Sequence, residues 1–297
     1  MEKIVIITGA NSGLGFNTAT KIAKNSKDFH LILACRNSQK GQEACKQIIE
    51  ETGNNNVDFL QLDTSSLKSV RNFVEEYKTK YNKPIYALLC NAGISGVGLG
   101  KKELSEDGFD IIFATNHLGH FLLTNLLLPF MDKQGKIIAT ASDMHNPPLK
   151  EGETFEWLGT EAIAHPDETM ATNPIRYSYS KLCNVYFVYE LAEKLKEQKN
   201  TVTVNAFNPG LMKTHLMPGM DESIYNFIKT NMPERYGDLE NSSSALAELV
   251  SSNDIIYTSG HFYDRSIRPC YTSALSYNKE NAEELWKKSE EYTKEKI

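Results

Sequence analysis

The sequence predicts an α/β protein in which a doubly wound parallel β-sheet carries helices on both faces. Short apolar, β-branched segments alternate with helical patterns about six times along the chain. No change of composition divides the 297 residues into separate parts. Such alternation is typical of parallel strands that are joined by crossover helices. We therefore expect a single domain whose ligands bind beyond the carboxyl ends of the strands.

The first strand and the first helix are joined by a glycine-rich turn. Residues 4–7 form an apolar run that predicts a buried strand, and residues 16–23 have apolar side chains at helical spacing. Glycines let the backbone approach a ligand closely, and a helix N-terminus attracts an anion, so this turn predicts a pyrophosphate site. Taken alone, the turn fits a structural corner equally well. The candidate cofactor-binding residues are Gly9, Asn11, Ser12, Gly13, Leu14 and Gly15.

The rest of the chain continues the alternation. Further strands are expected at residues 29–35, 57–62, 85–90, 136–141, 201–207 and 260–263. Further helices are expected at residues 38–51, 66–81, 108–132, 175–198, 242–251 and 279–294. Residues 143–173 have no clear period and predict a long irregular insertion. Residues 212–240 are rich in Met, Pro, Gly and charge, and they predict a mobile flap.

Composition excludes several classes of function. The net charge of −6 and the pI near 5.7 argue against a nucleic-acid partner, which would need a basic face. The run at residues 4–7 is too short for a signal peptide, and the apolar run at 121–130 falls short of a membrane span. Five scattered cysteines have neither metal-ligand nor disulfide-framework spacing, so we expect no metal and a reducing cytoplasmic location.

The ends of the second and third strands predict how a dinucleotide would be held. Residues 34–37 contain no acid that could bind a ribose hydroxyl, whereas Arg36 offers a charged fork for a 2′-phosphate, with Lys40 one turn further on. We therefore expect NADP(H) rather than NAD, although a solvated surface arginine is the alternative. Asp63 either accepts a hydrogen bond from the adenine amino group or caps the next helix, a role for which Ser65 competes.

The ends of the fourth and fifth strands carry the candidate chemistry. After the fourth strand, Asn91-Ala92-Gly93 is either a plain turn or a clasp in which the Asn91 amide joins two strand ends. After the fifth strand, Ser142 is either a helix cap or a catalytic hydroxyl. Tyr177 and Lys181 lie four residues apart on one helical face. An ammonium there favours the phenolate and lowers the pKa of the tyrosine from about 10 towards neutrality, which suits a general acid.

The sixth strand ends in Asn208-Pro209-Gly210. This rigid turn either is an ordinary loop or closes over a nicotinamide ring. Pro209 and Gly210 are therefore candidate cofactor contacts. Thr214, four residues further on, is a candidate hydrogen-bond partner of the nicotinamide carboxamide.

Together these motifs resemble the short-chain dehydrogenase/reductase family over essentially the whole chain. Within that family the chain resembles the retinol dehydrogenase and light-dependent protochlorophyllide reductase group. The motifs that carry the resemblance are Thr8-Gly9-x-x-x-Gly13-x-Gly15, Asn91-Ala92-Gly93, Asn116, Ser142, Tyr177-x-x-x-Lys181 and Asn208-Pro209-Gly210. The resemblance implies a Rossmann-type sheet of about seven strands and one NADP(H)-binding domain over residues 1–297.

The resemblance also implies a role for each matching residue. Tyr177 would be the general acid/base, and Lys181 would bind the nicotinamide ribose and depress the pKa of that tyrosine. Ser142 would hydrogen-bond the substrate oxygen, and Asn116 would hold a water that relays protons. The helices at residues 108–132 and 175–198 would be faces for homodimer or homotetramer assembly.

Three functions remain open at this point. The leading one is NADP(H)-dependent hydride transfer between the nicotinamide and a carbonyl or alcohol. The alternatives are a carbon–carbon double-bond reductase of the protochlorophyllide type and a non-catalytic NADP(H)-binding regulator. Residues 143–176 contain no cysteine, which argues against the double-bond reductase. An apolar or aromatic substrate is suggested by Phe155, Trp157, Met212, Met217, Met220, Tyr225 and Phe227.

Overall fold

A computed structural model describes residues 2–96, 103–170, 173–214, 216, 221–252 and 258–295. Its strands are β1 (Lys3–Thr8), β2 (Phe29–Cys35), β3 (Val57–Gln61), β4 (Ile85–Cys90), β5 (Met131–Thr140), β6 (Thr203–Phe207), β7 (Phe262–Tyr263) and β8 (Pro269–Cys270). They form one sheet in the order β3-β2-β1-β4-β5-β6-β7-β8. Strands β1 to β7 run parallel, and β8 pairs antiparallel with β7.

The direction in which the sheet grows reverses between β1 and β4. The chain first adds β2 and β3 on one side of β1, and then returns to add β4 to β7 on the other side. A crevice opens at such a point above the carboxyl ends of the strands, which is where parallel sheets bind ligands. The predicted doubly wound parallel α/β class is therefore confirmed. The seven parallel strands agree with the expected number, and β8 is an additional antiparallel strand.

Helices cover both faces of the sheet. They are α1 (Gly13–Asn25), α2 (Ser38–Thr52), α3 (Leu67–Lys80), α4 (Ile111–Phe113), α5 (Gly119–Leu127), α6 (Thr160–Ala164), α7 (Asn173–Glu197), α8 (Glu222–Asn231), α9 (Leu239–Ser251) and α10 (Lys279–Thr293). In β1, Val5 and Ile7 join a core with α1, α2 and α9, whereas Ile4 and Ile6 join a core with α3, α5 and α7. Because alternate side chains of a strand point to opposite faces, a strand that is buried on both faces is apolar throughout.

The long apolar helix expected at residues 108–132 is interrupted. Asp110 caps its beginning, because its carboxylate accepts hydrogen bonds from the backbone N–H groups of Ile112 and Phe113. Residues Ala114–Leu118 are π-helical and separate α4 from α5. A 3₁₀ turn at Leu128–Phe130 follows α5, and β5 begins directly afterwards, five residues earlier than the sequence predicts.

A close contact accompanies the interruption. A Cβ atom at Gly119 would lie 1.8 Å from the carbonyl oxygen of Thr64, so no residue other than glycine fits there. A π-helical turn accommodates one extra residue within a helix and shifts the residues around it. Here the π-helical turn directly precedes Gly119, where the loop after β3 leaves room only for glycine. The turn includes Asn116, one of the candidate catalytic residues.

One helical segment in the described part of the chain is long and apolar enough to cross a membrane. It covers Ile111–Phe130 with a hydropathy of 1.3, and it is therefore longer than the apolar run expected from the sequence. Within the segment, 83% of its most apolar part is buried inside the protein. The core helix of a soluble protein has the same length and composition, so these two properties alone do not establish a membrane span.

The predicted insertion and flap contain regular structure. Helix α6 lies inside the insertion at 143–173, between 3₁₀ turns at Asp143–His145 and Glu168–Met170. Helix α8 lies inside the flap at 212–240, and α9 begins at Leu239, three residues before its predicted start.

The candidate pocket residues separate into two groups. Phe155 stacks on Tyr179, and Trp157 meets Tyr186 edge-on, so both aromatic side chains of the insertion pack in the core. Phe227 on α8 is 59% exposed. Met217 and Met220 lie outside the described residues.

The faces that the resemblance assigns to subunit assembly are covered within this chain. Trp286 on α10 lies against Phe121 of α5 and Phe187 of α7, with ring centroids 4.9 and 6.1 Å apart. Every residue from 178 to 188 of α7 is buried, which includes the side of the helix that faces away from the sheet. The C-terminal helix therefore covers part of these two faces, and subunit assembly through the rest of them stays a prediction.

Candidate active site

The glycine turn between β1 and α1 provides a cradle of bare backbone. Gly9 and Gly13 have φ angles of +66° and +56°, a conformation that other residues rarely adopt. A Cβ atom at Gly15 would lie 2.5 Å from Nδ2 of Asn91. Ser12 caps α1 without a side-chain hydrogen bond, so the N–H groups of the first turn are not covered by its hydroxyl. Leu14 anchors this turn in the core.

The carboxyl ends of β1 and β4 are joined through Thr8. The Thr8 hydroxyl accepts hydrogen bonds from the backbone N–H groups of Asn91 and Ala92, both at 2.8 Å. The Asn91 amide donates in return to the Thr8 carbonyl at 2.9 Å. This is the clasp between two strand ends that is one of the two sequence interpretations of Asn91. The clasp holds the Asn91-Ala92-Gly93 loop directly beside the glycine turn.

A histidine that sequence reasoning missed completes this junction. His120 Nδ1 lies 3.1 Å from the carbonyl oxygen of Asn116, and its Nε2 lies 2.9 Å from the Thr8 hydroxyl. Because a carbonyl only accepts, Nδ1 carries the proton, and Nε2 accepts from Thr8. Burial lowers the pKa of His120 to about 4, so the ring is neutral. The available signal was a polar residue four positions after Asn116 in an otherwise apolar helix.

Asn116 connects the loop after β4 to α7. Its Oδ1 accepts from the backbone N–H of Ile94 at 2.8 Å, and its Nδ2 donates to the Ile94 carbonyl and to the Ser180 hydroxyl, both at 2.9 Å. A Cβ atom at Gly93 would lie 3.1 Å from Oδ1 of Asn116 and 3.8 Å from Nζ of Lys181. The side chain of Asn116 thus brings Gly93 and α7 together. Its role with a relay water stays a prediction.

Ser142, Tyr177 and Lys181 meet at the end of β5. The Ser142 hydroxyl accepts from the N–H of Met144 at 3.1 Å, so it caps the 3₁₀ turn, and its side chain lies close enough to Tyr177 to lower the pKa of that phenol. Both sequence interpretations of Ser142 are therefore compatible. Lys181 Nζ donates to the Thr140 carbonyl at 2.9 Å and lies 5.5 Å from the centroid of the Tyr177 ring.

The electrostatics of this trio differ from the expectation. Desolvation raises the pKa of Tyr177 above its usual value, and the nearby Ser142 side chain offsets only part of that rise. The charge of Asp143 raises the pKa of Tyr177 further. Burial lowers the pKa of Lys181 to about 8. The expected depression of the tyrosine pKa is therefore wrong for this structure, because desolvation of the phenol is the largest contribution to its pKa.

The candidate residues for the adenosine half lie at the ends of β2 and β3. Arg36 follows β2 directly, and its side chain is exposed. Asp63 follows β3, and its carboxylate accepts from the backbone N–H and the hydroxyl of Ser65. The cap of α3 is Ser66, which accepts from the N–H of Ser69. Neither Asp63 nor Ser65 is therefore the helix cap, which corrects that alternative.

The turn that follows β6 also borders the candidate site. Gly210 has a φ of +72°, and a Cβ atom there would lie 2.9 Å from Cα of Gly237. The Pro209 carbonyl accepts from the Ser242 hydroxyl at 2.8 Å, which fixes the turn to α9. The side chain of Thr214 lies 3.8 Å from the position that a Cβ of Gly13 would take. The segment after β6 therefore lies against the glycine turn.

Comparison with known proteins identifies the family. Residues 3–154 match the family model described as short chain dehydrogenase. The chain is 33% identical to human retinol dehydrogenase 13 over 296 residues, which cover 97% of this chain and 83% of that protein. The chain belongs to the short-chain dehydrogenase/reductase family. This short-chain dehydrogenase/reductase is accordingly an oxidoreductase close to the retinol dehydrogenase group, and the predicted resemblance is confirmed.

Two further relatives belong to the same comparison. Polyprenol dehydrogenase from Danio rerio is 32% identical over 295 residues, which cover 97% of this chain and 85% of that protein. The WW domain-containing oxidoreductase from Gallus gallus is 31% identical over 297 residues, which cover 99% of this chain and 69% of that protein. The second relative is therefore a longer protein, and the match covers only part of it.

Solved structures share the fold. An uncharacterized protein from Mycobacterium paratuberculosis superposes with a TM-score of 0.75 at 27% identity, covering 98% of this chain and 93% of that chain. A short chain dehydrogenase from Shigella flexneri, solved in complex with NADP, has a TM-score of 0.63 at 21% identity. That match covers 89% of this chain and 97% of the other, and it shows the fold alone.

The residues at the strand ends fit a nicotinamide dinucleotide. A Cβ atom at Gly15 would not fit in the glycine turn. The turn leads into the N-terminus of α1, where a pyrophosphate is favoured. In the part of the chain that the structure describes, no group of three or more His, Cys, Asp or Glu residues is arranged to hold a metal ion. The arrangement supports cofactor-based oxidoreduction by this short-chain dehydrogenase/reductase.

Proposed function

We propose that this enzyme transfers a hydride between NADP(H) and a carbonyl or alcohol substrate, with Tyr177 as the general acid/base. The observation that carries the proposal is the convergence of three side chains at the end of β5. The Ser142 side chain lies close enough to the phenol of Tyr177 to lower its pKa, and Lys181 lies over the same ring while its ammonium bonds the last residue of that strand. Each of these groups has a defined task in such a reaction.

The protein's own contribution is orientation and proton transfer. NADPH, when bound, supplies the hydride. Tyr177 would protonate the oxygen that becomes the alcohol, and Ser142 would turn its hydroxyl hydrogen from the Asp143 carboxylate to that oxygen and hold it beside the phenol. Lys181 would bind the nicotinamide ribose and supply positive charge beside the tyrosine when the pocket is filled. Asn116 would keep Gly93 and α7 in register and, as a proposal, hold the relay water.

The choice of NADP(H) over NAD(H) rests on Arg36. Its guanidinium is exposed at the end of β2, beside the strand that leads into the glycine turn. Lys40 is exposed one turn further on, and no acid stands at residues 34–37. A permanently charged planar fork suits a 2′-phosphate, whereas NAD enzymes place an acid there.

We propose an apolar substrate. The names of two relatives, polyprenol dehydrogenase and retinol dehydrogenase 13, describe oxidoreductases that act on alcohols of long apolar molecules. In this chain the flap at residues 212–240 carries the exposed Phe227 and the half-buried Met212 and Tyr225. Phe155 and Trp157, which pack in the core, do not support the proposal.

A cytoplasmic location also remains a proposal. All five cysteines are unpaired thiols, and four of them are buried. Such thiols are compatible with a reducing compartment. Fractionation of cells that express the tagged protein would test the location.

The experiment that tests the function is NADPH consumption with a panel of apolar aldehydes, ketones and quinones. We expect turnover by the wild type and its loss in Tyr177→Phe, with NADPH binding retained in both. Tyr271→Phe is the matched control, because it removes the phenol of a tyrosine that is 96% exposed and has no proposed role in the site. Turnover that survives Tyr177→Phe would contradict the proposed acid. Tight NADPH binding without turnover of any compound would favour the regulator, and a light-dependent change of a bound pigment would favour the double-bond reductase.

A further inference from the structure

An ion pair links the catalytic serine loop to the flap. Asp143 Oδ2 lies 2.7 Å from Nε of Arg235, and the two side chains are mostly buried, at 24% and 19% exposure. The other carboxylate oxygen of Asp143 accepts from the Ser142 hydroxyl at 3.1 Å. One carboxylate therefore contacts both the residue proposed to bind the substrate oxygen and a guanidinium from the flap.

The backbone of Arg235 reaches the other side of the pocket. Its carbonyl accepts from the N–H of Leu211 at 2.7 Å, and the Leu211 carbonyl accepts from the N–H of Gly237 at 2.8 Å. Leu211 directly follows the Pro209-Gly210 turn, which packs against Gly237. Arg235 therefore connects the turn after β6 with the loop after β5, which are the two loops on either side of the proposed nicotinamide position.

The charges that face Tyr177 come from three segments. Lys181 lies one turn along the same helix, with its ammonium over the ring. Asp143 is in the 3₁₀ turn that packs against α7, and Arg235 of the flap is its counter-charge. His145, in the same turn, donates through Nδ1 to the Ser142 carbonyl and accepts through Nε2 from the N–H of Ser273. Burial lowers the pKa of His145, so its ring adds no charge.

We propose that Asp143 and Arg235 are a positioning pair for the proposed reaction, in which the flap residue balances the carboxylate beside Ser142 and Tyr177. The inference rests on the proposed function and adds a coupling between the flap and the proton donor. When Arg235 is in place, the carboxylate orients the Ser142 hydroxyl without leaving an uncompensated negative charge beside the phenol. When Arg235 is absent, the same carboxylate disfavours the phenolate.

The test is the pH dependence of alcohol oxidation with NADP⁺, using an alcohol that the panel identifies. This direction needs the phenolate, so the rate rises as the pH rises through the pKa of Tyr177. Arg235→Met removes the cation and should shift the rising limb to higher pH by roughly half to one unit. Asp143→Asn removes the anion and should shift it to lower pH by a similar amount. In the double variant the two shifts should largely cancel.

Three controls separate this coupling from a loss of structure. Arg235→Lys keeps the charge and should leave the rising limb of the pH–rate profile at its wild-type position. Arg71→Met removes another arginine–carboxylate pair, formed with Glu295, and should leave the limb unchanged. Amide hydrogen exchange of the peptides around Leu211 should increase in Arg235→Met, because the carbonyl that accepts its N–H is no longer anchored.

The outcomes distinguish the two proposals. If Tyr177→Phe retains turnover, the proposed function fails. If Tyr177→Phe is inactive but the limb is the same in wild type, Asp143→Asn and Arg235→Met, the positioning pair is overturned. If the rising limb shifts in the same direction in both single variants, the positioning pair is also overturned. The pair predicts opposite pH shifts for the two variants, whereas a general loss of structure does not.

Discussion

Asp110 Oδ2 lies 2.5 Å from Nη1 of Arg176, and each side chain is at most 2% exposed. Asp110 also caps the helical segment that carries Asn116, and Arg176 immediately precedes Tyr177. This buried ion pair therefore fixes the beginning of one candidate catalytic segment to the beginning of the other. Neither charged group contacts the proposed reacting atoms, so we expect the pair to act on stability.

The first prediction concerns that pair. Asp110→Ala leaves the buried guanidinium without its counter-charge and removes the cap of α4, which should lower the free energy of unfolding by about 3–5 kcal/mol. Urea denaturation at neutral pH measures this change. The control is Glu283→Ala, which breaks the exposed pair with Lys287 and should cost less than about 1 kcal/mol. Equal costs for the two variants would contradict the structural role of Asp110.

The second prediction concerns cofactor choice. Arg36→Ala should raise the KM for NADPH roughly tenfold or more and leave the KM for NADH nearly unchanged, because only NADPH carries the phosphate that a guanidinium would bind. Initial rates with each cofactor measure the effect. Lys46→Ala removes another exposed charge of α2 and should change neither value. An equal change in the KM values for both cofactors would contradict the assignment of Arg36 to the 2′-phosphate.

The third prediction concerns the neutral ring of His120. Because burial lowers its pKa from 6.5 to about 4, the unfolded chain binds a proton in that interval that the folded chain does not bind. The stability that His120 contributes is therefore fully present above pH 6.5 and is lost as the pH falls towards 4, by up to about 3 kcal/mol. Denaturation from pH 7 to pH 4 measures the slope.

His120→Asn provides the comparison, since its side chain does not titrate there. We expect the variant to be less stable at pH 7 but to lose less stability on acidification than the wild type does. The buried His117 remains in both proteins, so its titration cancels in the difference. Parallel pH curves for wild type and variant would contradict the assigned neutral state.

The fourth prediction concerns α10. Trp286 fills the space between Phe121 and Phe187, so Trp286→Ala should cost about 3–5 kcal/mol through the cavity it leaves. We also expect no dimer or tetramer assembled through α5 and α7, and light scattering after gel filtration measures the mass. A wild-type dimer that Leu126→Glu, on the half-buried side of α5, converts to a monomer would refute this expectation.

The sequence allowed the sheet to be predicted because its central strands β1 and β4 are buried on both faces. Residues 4–7 and 85–90 are apolar runs, and such runs are recognisable without knowledge of their neighbours. The glycine turn and the order of the strand-end motifs were recognisable for the same reason, since each is local. The clasp at Asn91 was one of two interpretations of its motif, and its partner Thr8 is known only from the structure.

Features that depend on contacts between distant segments were not predictable. The π-helical turn follows from the approach of Thr64 to Gly119 and from the cap at Asp110, and no periodicity of the apolar residues shows either contact. The direction of the Tyr177 pKa shift depends on desolvation and on the position of the Lys181 ammonium. Spacing along a helix determines which residues are neighbours, but it does not determine how much water reaches them.

The antiparallel strand β8 has a consequence for the behaviour of the protein at high concentration. An exposed sheet edge is a template on which the strand of another molecule can pair. Here the outermost strand has only two residues, and one of them, Pro269, has no backbone N–H to donate. A strand from a neighbouring molecule would find almost no hydrogen-bonding partners along this edge. The short final strand therefore disfavours growth of the sheet into aggregates at this edge.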